Sequence, residues 1–246
     1  MDVSLIHEGE RLDELHRKGY MIIQDPSQFC FGIDAVLLSA FARAGSKEKV
    51  LDIGTGTGII PVLMEARYGG VYTGVEIQEK AADMARRSVI YNHLEDRIKI
   101  HNEDIRESYK GYGNRPFDVV TTNPPYMIPD KGLVNPNSAK ALSRHELTIE
   151  LEDIVRISSH LLKTKGRFYM IHRPFRLVEI MTVMRKYKLE IKRLRMVHPF
   201  IDKEANMVLI EAIHEGGAFM KVESPLIVYK EKGVYTEEVM DIYYGE

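Results

Sequence analysis

Residues 50–58 read VLDIGTGTG, a short apolar run that ends in glycines at every second position. The apolar run predicts a buried strand at residues 49–53. Gly54, Gly56 and Gly58 let the backbone turn tightly and approach a ligand closely. The spacing is G-x-G-x-G, because Ile59 stands where the G-x-G-x-x-G of dinucleotide enzymes would continue. The stretch therefore predicts a strand that leads into a ligand-binding turn.

Strand-like and helix-like segments alternate from residue 49 onward, which predicts a doubly wound α/β fold. Residues 189–197 and 206–214 read as two strands with no helix between them, and such a pair fits an antiparallel edge on a parallel sheet. We therefore expect a Rossmann-like, seven-stranded, mostly parallel sheet with helices on both faces and an antiparallel C-terminal strand pair. The other strand-like runs are 49–53, 71–76, 97–101, 117–122 and 166–171, and the helix-like runs are 59–68, 79–93, 148–162 and 174–187.

Two regions are expected along the chain. Residues 1–48 are predicted to form an N-terminal extension or cap, and residues 49–246 the catalytic domain. Within the extension, residues 20–24 read as an extended segment. Asp34 is predicted to be the N-cap of a helix over residues 35–42, because its side chain can accept from the first free backbone amides.

The composition is typical of a globular protein, with 44% hydrophobic and 28% charged residues. No apolar run approaches the ~20 residues that cross a bilayer, and the N-terminus lacks the layout of a signal peptide. The single cysteine, Cys30, excludes an internal disulfide, and the nine histidines have no metal-ligand spacing. We therefore expect a cytoplasmic protein with no metal and no membrane partner, present as a monomer or a weak homodimer.

Acidic residues follow the next two predicted strands. Glu76 ends the strand 71–76, and Asp104 comes shortly after the strand 97–101. Ligands of open α/β sheets bind beyond the carboxyl ends of the strands. Glu76 is therefore predicted to accept both ribose hydroxyls of an adenosyl group, and Asp104 to accept from the adenine amino group. The structural alternative is that Glu76 caps the next helix and Asp104 begins a turn.

Asn123-Pro124-Pro125-Tyr126 follows the predicted strand 117–122. An amino group conjugated to a ring or a carbonyl is a poor nucleophile, so catalysis needs acceptors that hold both of its hydrogens. The Asn123 side-chain oxygen and the Pro124 carbonyl can supply them. Consecutive prolines stiffen the loop, and Tyr126 can stack on a planar target. These four residues are the predicted catalytic residues, although the same sequence could simply end a strand.

Together these features resemble the class I S-adenosylmethionine-dependent methyltransferases over roughly residues 30–214. The resemblance implies S-adenosyl-L-methionine as the cofactor and S-adenosyl-L-homocysteine as its product. It also implies that the glycine turn passes under the methionine portion, with Glu76 on the ribose and Asp104 on the adenine. The residues implied to bind the cofactor are Phe31, Gly32, Asp34, Asp52, Gly54, Thr55, Gly56, Gly58, Glu76, Ile77, Asp104, Ile105 and Asn123.

The segment Phe31-Gly32-Ile33-Asp34 looks like the motif that borders the methionine moiety in adenine amino methyltransferases. Order and spacing resemble the bacterial tRNA(Val) adenine-37 N6-methyltransferase family, especially its Gram-positive-type members, which carry Arg-His-Glu as Arg144-His145-Glu146 does here. Enterobacterial relatives more often have Gly-Thr-Asp where this chain has Gly32-Ile33-Asp34. The resemblance implies tRNA as the partner and methyl transfer to N6 of adenine 37 in tRNA(Val).

RNA contacts are predicted at two places. The loop 127–147 is long for a compact domain and is expected to order over the target, with Arg144 on a phosphate. Residues 185–195 carry six basic side chains, among which Arg193 and Arg195 are predicted to bind the substrate together with Tyr126. The alternatives are that Arg144 pairs with Glu146 at a helix start and that the basic cluster is a solvated surface.

Two other methylation targets stay open, the glutamine amide of a release factor and a guanine amino group of ribosomal RNA. Release-factor enzymes carry a helical domain of several dozen residues before the glycine turn, whereas residues 1–48 hold the adenine-type motif instead. A non-catalytic adenosyl-binding or RNA-binding module is the alternative from a different class. That alternative predicts damage to the glycines or to Asn123, and the sequence has none.

Overall fold

The computed structural model describes residues 3–28, 30–126 and 149–245. The predicted loop 127–147 and Arg144 lie outside these ranges. The described strands are β1 Arg11–Glu14, β2 Met21–Gln24, β3 Lys49–Ile53, β4 Val71–Glu76, β5 Ile98–Asn102, β6 Phe117–Thr122, β7 Leu162–His172, β8 Leu189–His198, β9 Met207–His214, β10 Lys221–Val222, β11 Leu226–Ile227, β12 Tyr229–Glu231 and β13 Val234–Tyr235. The described α-helices are α1 Ile33–Phe41, α2 Ile59–Tyr68, α3 Glu79–Tyr91, α4 Ile105–Ser108, α5 Leu151–Leu161, α6 Leu177–Lys186 and α7 Glu237–Tyr244.

One sheet organises the chain, in the order β5-β4-β3-β6-β7-β9-β8. The strands from β5 to β7 pair in parallel, and β9 lies antiparallel between β7 and β8. The predicted sheet, mostly parallel with an antiparallel C-terminal pair, is confirmed. Two further strands of two residues each, β10 and β11, extend it by pairing with β8.

The predicted bounds are best where an apolar run meets a glycine or a charged residue. The strands 49–53, 71–76 and 117–122 and the helix 59–68 have the predicted ends. The run 166–171 is longer in the structure and spans Leu162–His172, because the residues before it also pair with β6.

The prediction that Asp34 caps its helix is wrong. The helix begins at Ile33, and its N-cap is Gly32, whose backbone is extended. Asp34 lies in the first helical turn instead. Its carboxylate accepts from the Ala35 amide at 2.9 Å and lies 2.8 Å from the Tyr126 hydroxyl. The side chain therefore has a long-range partner that local sequence rules do not include.

Side chains alternate between two apolar cores, one on each face of the sheet, as the strand period requires. Val50 and Tyr169 point to the face covered by α1 and α2. Leu51 and Phe168 point to the opposite face, covered by α5 and α6. Ile22 from β2 belongs to the first core, so residues before 49 contribute to the same packed interior. The division of the chain after residue 48 stays a prediction. Within the described residues, no helix is both long and apolar enough to cross a membrane.

A buried ion pair attaches the N-terminal segment to α3. Arg87 Nη1 lies 2.6 Å from Glu10 Oε2, and the two side chains are only 9% and 10% exposed. Arg87 also contacts Asp83 at 2.7 Å and donates to the Leu5 carbonyl. Removing one partner of a buried pair leaves the other charge desolvated and incompletely compensated.

We expect Glu10→Gln to lower the free energy of unfolding by roughly 2 kcal/mol, with Asp83 compensating part of the remaining charge. Urea unfolding at neutral pH measures the change. The matched control is Glu152→Gln, which removes the exposed pair with Lys186, whose side chains are 48% and 60% exposed. Exposed pairs contribute little, so the control is expected to unfold close to wild type. Equal losses in the two variants would contradict a buried role for Glu10.

Candidate active site

The strand register brings the glycine turn and Asn123 to the same place. β3 and β6 are neighbours in the sheet, and Ile53 pairs with Thr122. Gly54 and Asn123 are therefore the first residues after these two strands. Neighbouring strands lie only about 4.8 Å apart. The two sequence motifs thus meet at the carboxyl edge of the sheet, where ligands of open α/β folds bind.

The glycine turn leaves open space in front of its backbone. Gly54 and Gly56 have φ of 70° and 56°, a left-handed conformation that side chains rarely adopt. A Cβ added to either residue would meet nothing within 4 Å, so the surface over the turn is free for a ligand. Gly58 has φ of 86°, and a Cβ there would come within 3.2 Å of Ala85 on α3. The third glycine therefore allows α2 to start close to α3.

Glu76 lies at the end of β4, directly beside this turn. Its Oε2 accepts from the Gly56 amide and its Oε1 from the Gln78 amide, each at 2.9 Å. Burial raises the pKa of the Glu76 carboxyl, and the two amide hydrogen bonds oppose that shift. Each carboxylate oxygen has a further lone pair, which suits a vicinal diol. Its contact with Gln78 also agrees with the alternative in which Glu76 orders the start of α3.

Asp104 has an intramolecular partner in the structure. It is the N-cap of α4, accepting from the Arg106 amide at 2.9 Å, and its Oδ2 lies 2.5 Å from Arg106 Nη2. The hydrogen bond from Arg106 lowers the pKa of Asp104. The turn-forming alternative is therefore realised, and contact with adenine stays a prediction that requires sharing the carboxylate with Arg106. Of the other two predicted cofactor residues nearby, Ile77 is half-buried and Ile105 packs into the core.

Asp52 is a buried acid beneath the turn. Its side chain is 1% exposed, and its Oδ1 accepts from Thr121 Oγ1 at 2.6 Å across the β3–β6 pairing. Burial raises the pKa of Asp52 to about 7. The Oδ2 atom has no hydrogen-bond partner among the described residues. Thr55, another predicted cofactor residue, is also buried.

Tyr126 closes back onto two of the predicted site residues. Its hydroxyl oxygen lies 2.7 Å from Asn123 Oδ1 and 2.8 Å from Asp34 Oδ2. The upstream segment 31–34 and the Asn-Pro-Pro-Tyr loop are therefore in direct contact. Within that segment, a Cβ at Gly32 would come within 2.8 Å of Asp34 Oδ1, so a larger residue there would displace the Asp34 carboxylate. Phe31 packs against the first core.

Two residues at the end of β7 were missed by the sequence interpretation. The His172 ring meets the Tyr126 ring edge-on at 5.3 Å, and the Arg173 guanidinium lies over the same ring at 4.7 Å. Burial lowers the pKa of His172 to about 4, so its ring is neutral near pH 7. Its Nδ1 accepts from the Arg173 amide. The signal that could have identified them is their position at the end of β7, the strand that pairs with β6 next to Asn123.

Arg193 and Arg195 have internal partners. Arg193 is 14% exposed, lies 3.3 Å from both Glu211 and Glu223, and covers the Phe41 ring. Arg195 binds both carboxylate oxygens of Glu238, at 2.6 and 2.8 Å. Their contact with RNA stays a prediction without a free guanidinium to support it. Arg144, the third predicted arginine, lies outside the described residues.

No group of three or more His, Cys, Asp or Glu side chains that could hold a metal ion occurs in residues 3–28, 30–126 and 149–245. The polar groups around the glycine turn include backbone amides, carboxylates and the Asn123 amide. Such groups suit hydroxyl and amino groups of an organic ligand.

Residues 21–189 match the sequence model of the methyltransferase small domain family. Curated proteins named tRNA1(Val) (adenine(37)-N6)-methyltransferase are similar over most of the chain. The protein from Porphyromonas gingivalis is 33% identical over 216 residues, covering 84% of each chain. That from Parabacteroides distasonis is 29% identical, covering 90% of this chain and 92% of the relative.

Solved structures share the fold. A predicted O-methyltransferase from Agrobacterium tumefaciens superposes with a TM-score of 0.68 at 23% identity, covering 86% of this chain and 96% of that one. The geranyl diphosphate C-methyltransferase from Streptomyces coelicolor, solved with S-adenosyl-L-homocysteine, has a TM-score of 0.57 at 15% identity, covering 85% and 94%.

We expect the ionisation of Asp52 to contribute a fall of roughly 2–3 kcal/mol in the free energy of unfolding between about pH 5 and about pH 8. Its folded pKa of about 7 lies above the value of an unfolded aspartate, so the unfolded chain loses the proton first as pH rises. Asp52→Asn retains the acceptor for Thr121 and cannot ionise, so its profile should be flatter. Urea unfolding across this pH range measures both. Glu76 contributes a residual slope of the same sign, and His172, whose folded pKa of about 4 lies below that of an unfolded histidine, contributes one of opposite sign. Both slopes are present in the variant as well, so parallel profiles would contradict a protonated Asp52.

Proposed function

The chain belongs to the methyltransferase small domain family, and on this premise we propose that it methylates N6 of an adenine in tRNA, at adenine 37 of tRNA(Val). It is an S-adenosylmethionine-dependent methyltransferase. The names of the curated relatives support the finer proposal. The observation that carries it is the adjacency of Gly54 and Asn123 at the ends of paired strands, since a methyl donor and an amine must be neighbours.

The residues of the turn fit the cofactor. The open surface over Gly54 and Gly56 would take the methionine portion, and the free lone pairs of Glu76 would accept from the ribose. When bound, S-adenosylmethionine supplies an electrophilic methyl group; its sulfur keeps the electron pair of the broken S–C bond as the N–C bond forms, and the amine releases one proton to water.

The Asn-Pro-Pro-Tyr loop would hold the target amine. The Asn123 side-chain oxygen and the Pro124 carbonyl would each accept one hydrogen, which directs the nitrogen lone pair towards the methyl group. The Tyr126 ring would stack on an extruded base, and unpaired loop bases are the usual targets of sequence-specific RNA recognition. His172 is neutral and touches the edge of that ring, so it adds no charge beside the base.

The first test is methyl transfer from labelled S-adenosylmethionine to an unmodified tRNA(Val) transcript. A transcript with guanine at position 37, a purified release factor and ribosomal RNA serve as the alternative substrates. Label is expected in the first transcript as N6-methyladenosine and in none of the alternatives. Label in the release factor, or only in ribosomal RNA, would overturn the tRNA assignment and leave the methyltransferase assignment intact.

Asn123→Ala should reduce this transfer by roughly a hundredfold, because it removes one of two acceptors that act on the transition state. Calorimetric titration with S-adenosylmethionine distinguishes a loss of catalysis from a loss of cofactor binding. Near-normal turnover by the variant would contradict the role of the Asn123 oxygen.

Arg173 is proposed as an RNA contact beside the target base. Its guanidinium covers the Tyr126 ring and donates to the Asn206 carbonyl at 2.9 Å. Within the part of the chain that the structure describes, no carboxylate forms an ion pair with it, in contrast to Arg193 and Arg195. Its remaining N–H groups are therefore available to a phosphate.

Arg173→Gln should weaken tRNA binding roughly tenfold and reduce the slope of log affinity against log salt by about one. The control is Arg115→Gln, because Arg115 pairs with Glu215 and precedes β6 at the opposite end from Asn123. Electrophoretic mobility or fluorescence titration at several salt concentrations measures the effect. A salt slope equal to wild type would leave Arg173 without a phosphate contact.

A further inference from the structure

Asp34 contacts the Asn-Pro-Pro-Tyr loop, and this contact indicates a role other than cofactor binding. Its Oδ2 lies 2.8 Å from the Tyr126 hydroxyl, although the two residues are 92 positions apart in the sequence. Its Oδ1 is fixed by the Ala35 amide at 2.9 Å. A carboxylate in the first turn of a helix is also stabilised by the helix dipole. One oxygen of Asp34 is therefore occupied locally, and the other faces Tyr126.

The Tyr126 hydroxyl faces two oxygens and has one hydrogen. Asn123 Oδ1 lies 2.7 Å away and Asp34 Oδ2 at 2.8 Å. Burial, followed by the charge of Asp34, raises the pKa of Tyr126, so the phenol keeps this hydrogen. An ionised carboxylate is a stronger acceptor than a neutral amide oxygen. The hydrogen is therefore drawn to Asp34.

The same Asn123 oxygen is the one that the proposed mechanism requires for the target amine. This oxygen has two lone pairs, so a phenol hydrogen on one of them would leave the other for the amine but would weaken the oxygen as an acceptor. The ring itself cannot easily turn away, because His172 and Arg173 contact it at 5.3 and 4.7 Å. The choice between the two acceptors then depends on the group at position 34.

We propose that Asp34 is a positioning residue, which takes the hydrogen of Tyr126 and leaves the Asn123 oxygen free to accept from the substrate amine. This inference rests on the proposed function. It differs from a role in binding the methionine portion, because the effect of Asp34 passes through Tyr126 and acts on the reaction step.

A double-mutant cycle tests it. Asp34→Asn should lower kcat about tenfold, equivalent to ~1.4 kcal/mol, and change the KM for S-adenosylmethionine less than about twofold. Tyr126→Phe keeps the stacking ring and removes the competing hydrogen. In that background, Asp34→Asn should cause no further loss of kcat. The control Asp25→Asn alters a carboxylate of the same N-terminal segment that accepts from the Ser27 amide, and its kcat should equal that of wild type.

Equal losses of kcat from Asp34→Asn in both backgrounds would overturn the proposal, as would a loss confined to the cofactor KM. The kinetic arm uses the substrate that the wild-type protein methylates, so failure of the proposed function is seen separately, as wild-type inactivity on tRNA. A second readout needs no substrate. The losses of Tm caused by Asp34→Asn and Tyr126→Phe should not add, because Asp34→Asn weakens and Tyr126→Phe removes the same hydrogen bond. Additive losses would show that the contact is absent.

Discussion

Parallel pairing of β3 with β6 is the constraint on which the site depends. A strand register shifted by one residue would exchange the faces of all side chains in the shifted strand. Two side-chain hydrogen bonds fix this register, from Thr121 Oγ1 to Asp52 Oδ1 at 2.6 Å and from Thr122 Oγ1 to the Ile53 carbonyl at 3.0 Å. Both lie just before the residues that leave the sheet. The position of Asn123 beside the glycine turn is therefore built into the sheet.

The hydrogen bond from Thr121 to Asp52 has a cost in stability, because its acceptor is a buried carboxyl group. A carboxyl group that is 1% exposed is not solvated, and burial raises its pKa to about 7. A neutral polar residue could make the same bond to Thr121 without that penalty. Natural proteins break such local rules mainly at functional sites, where another requirement outweighs stability. The feature next to Asp52 that can impose such a requirement is the glycine turn, which begins at Gly54.

Much of the fold could be predicted because its signals are local. The apolar run 49–53 ends at glycine, and the run 117–122 ends at Asn123 before two prolines, so both strands have the predicted bounds. The family match and the curated relatives confirm the resemblance seen in these motifs. The Asp34 cap was predicted wrongly, because the partner of its carboxylate is Tyr126, 92 residues away. Capping rules consider only neighbouring residues in the sequence, so they cannot identify such a partner.

The charged residues show the same limit of prediction from sequence. The arginines at 193 and 195 belong to a run of basic residues, yet their carboxylate partners, Glu211, Glu223 and Glu238, come from β9 and the chain after it. Arg173 lies outside that run, and its guanidinium lies over the Tyr126 ring. The ability of an arginine to bind phosphate depends on whether the fold has already paired it. The number of basic residues in a stretch of sequence is therefore a poor guide to phosphate contacts. Arg173 has no carboxylate partner among the described residues, and its position over Tyr126 makes it the better candidate for the proposed RNA contact.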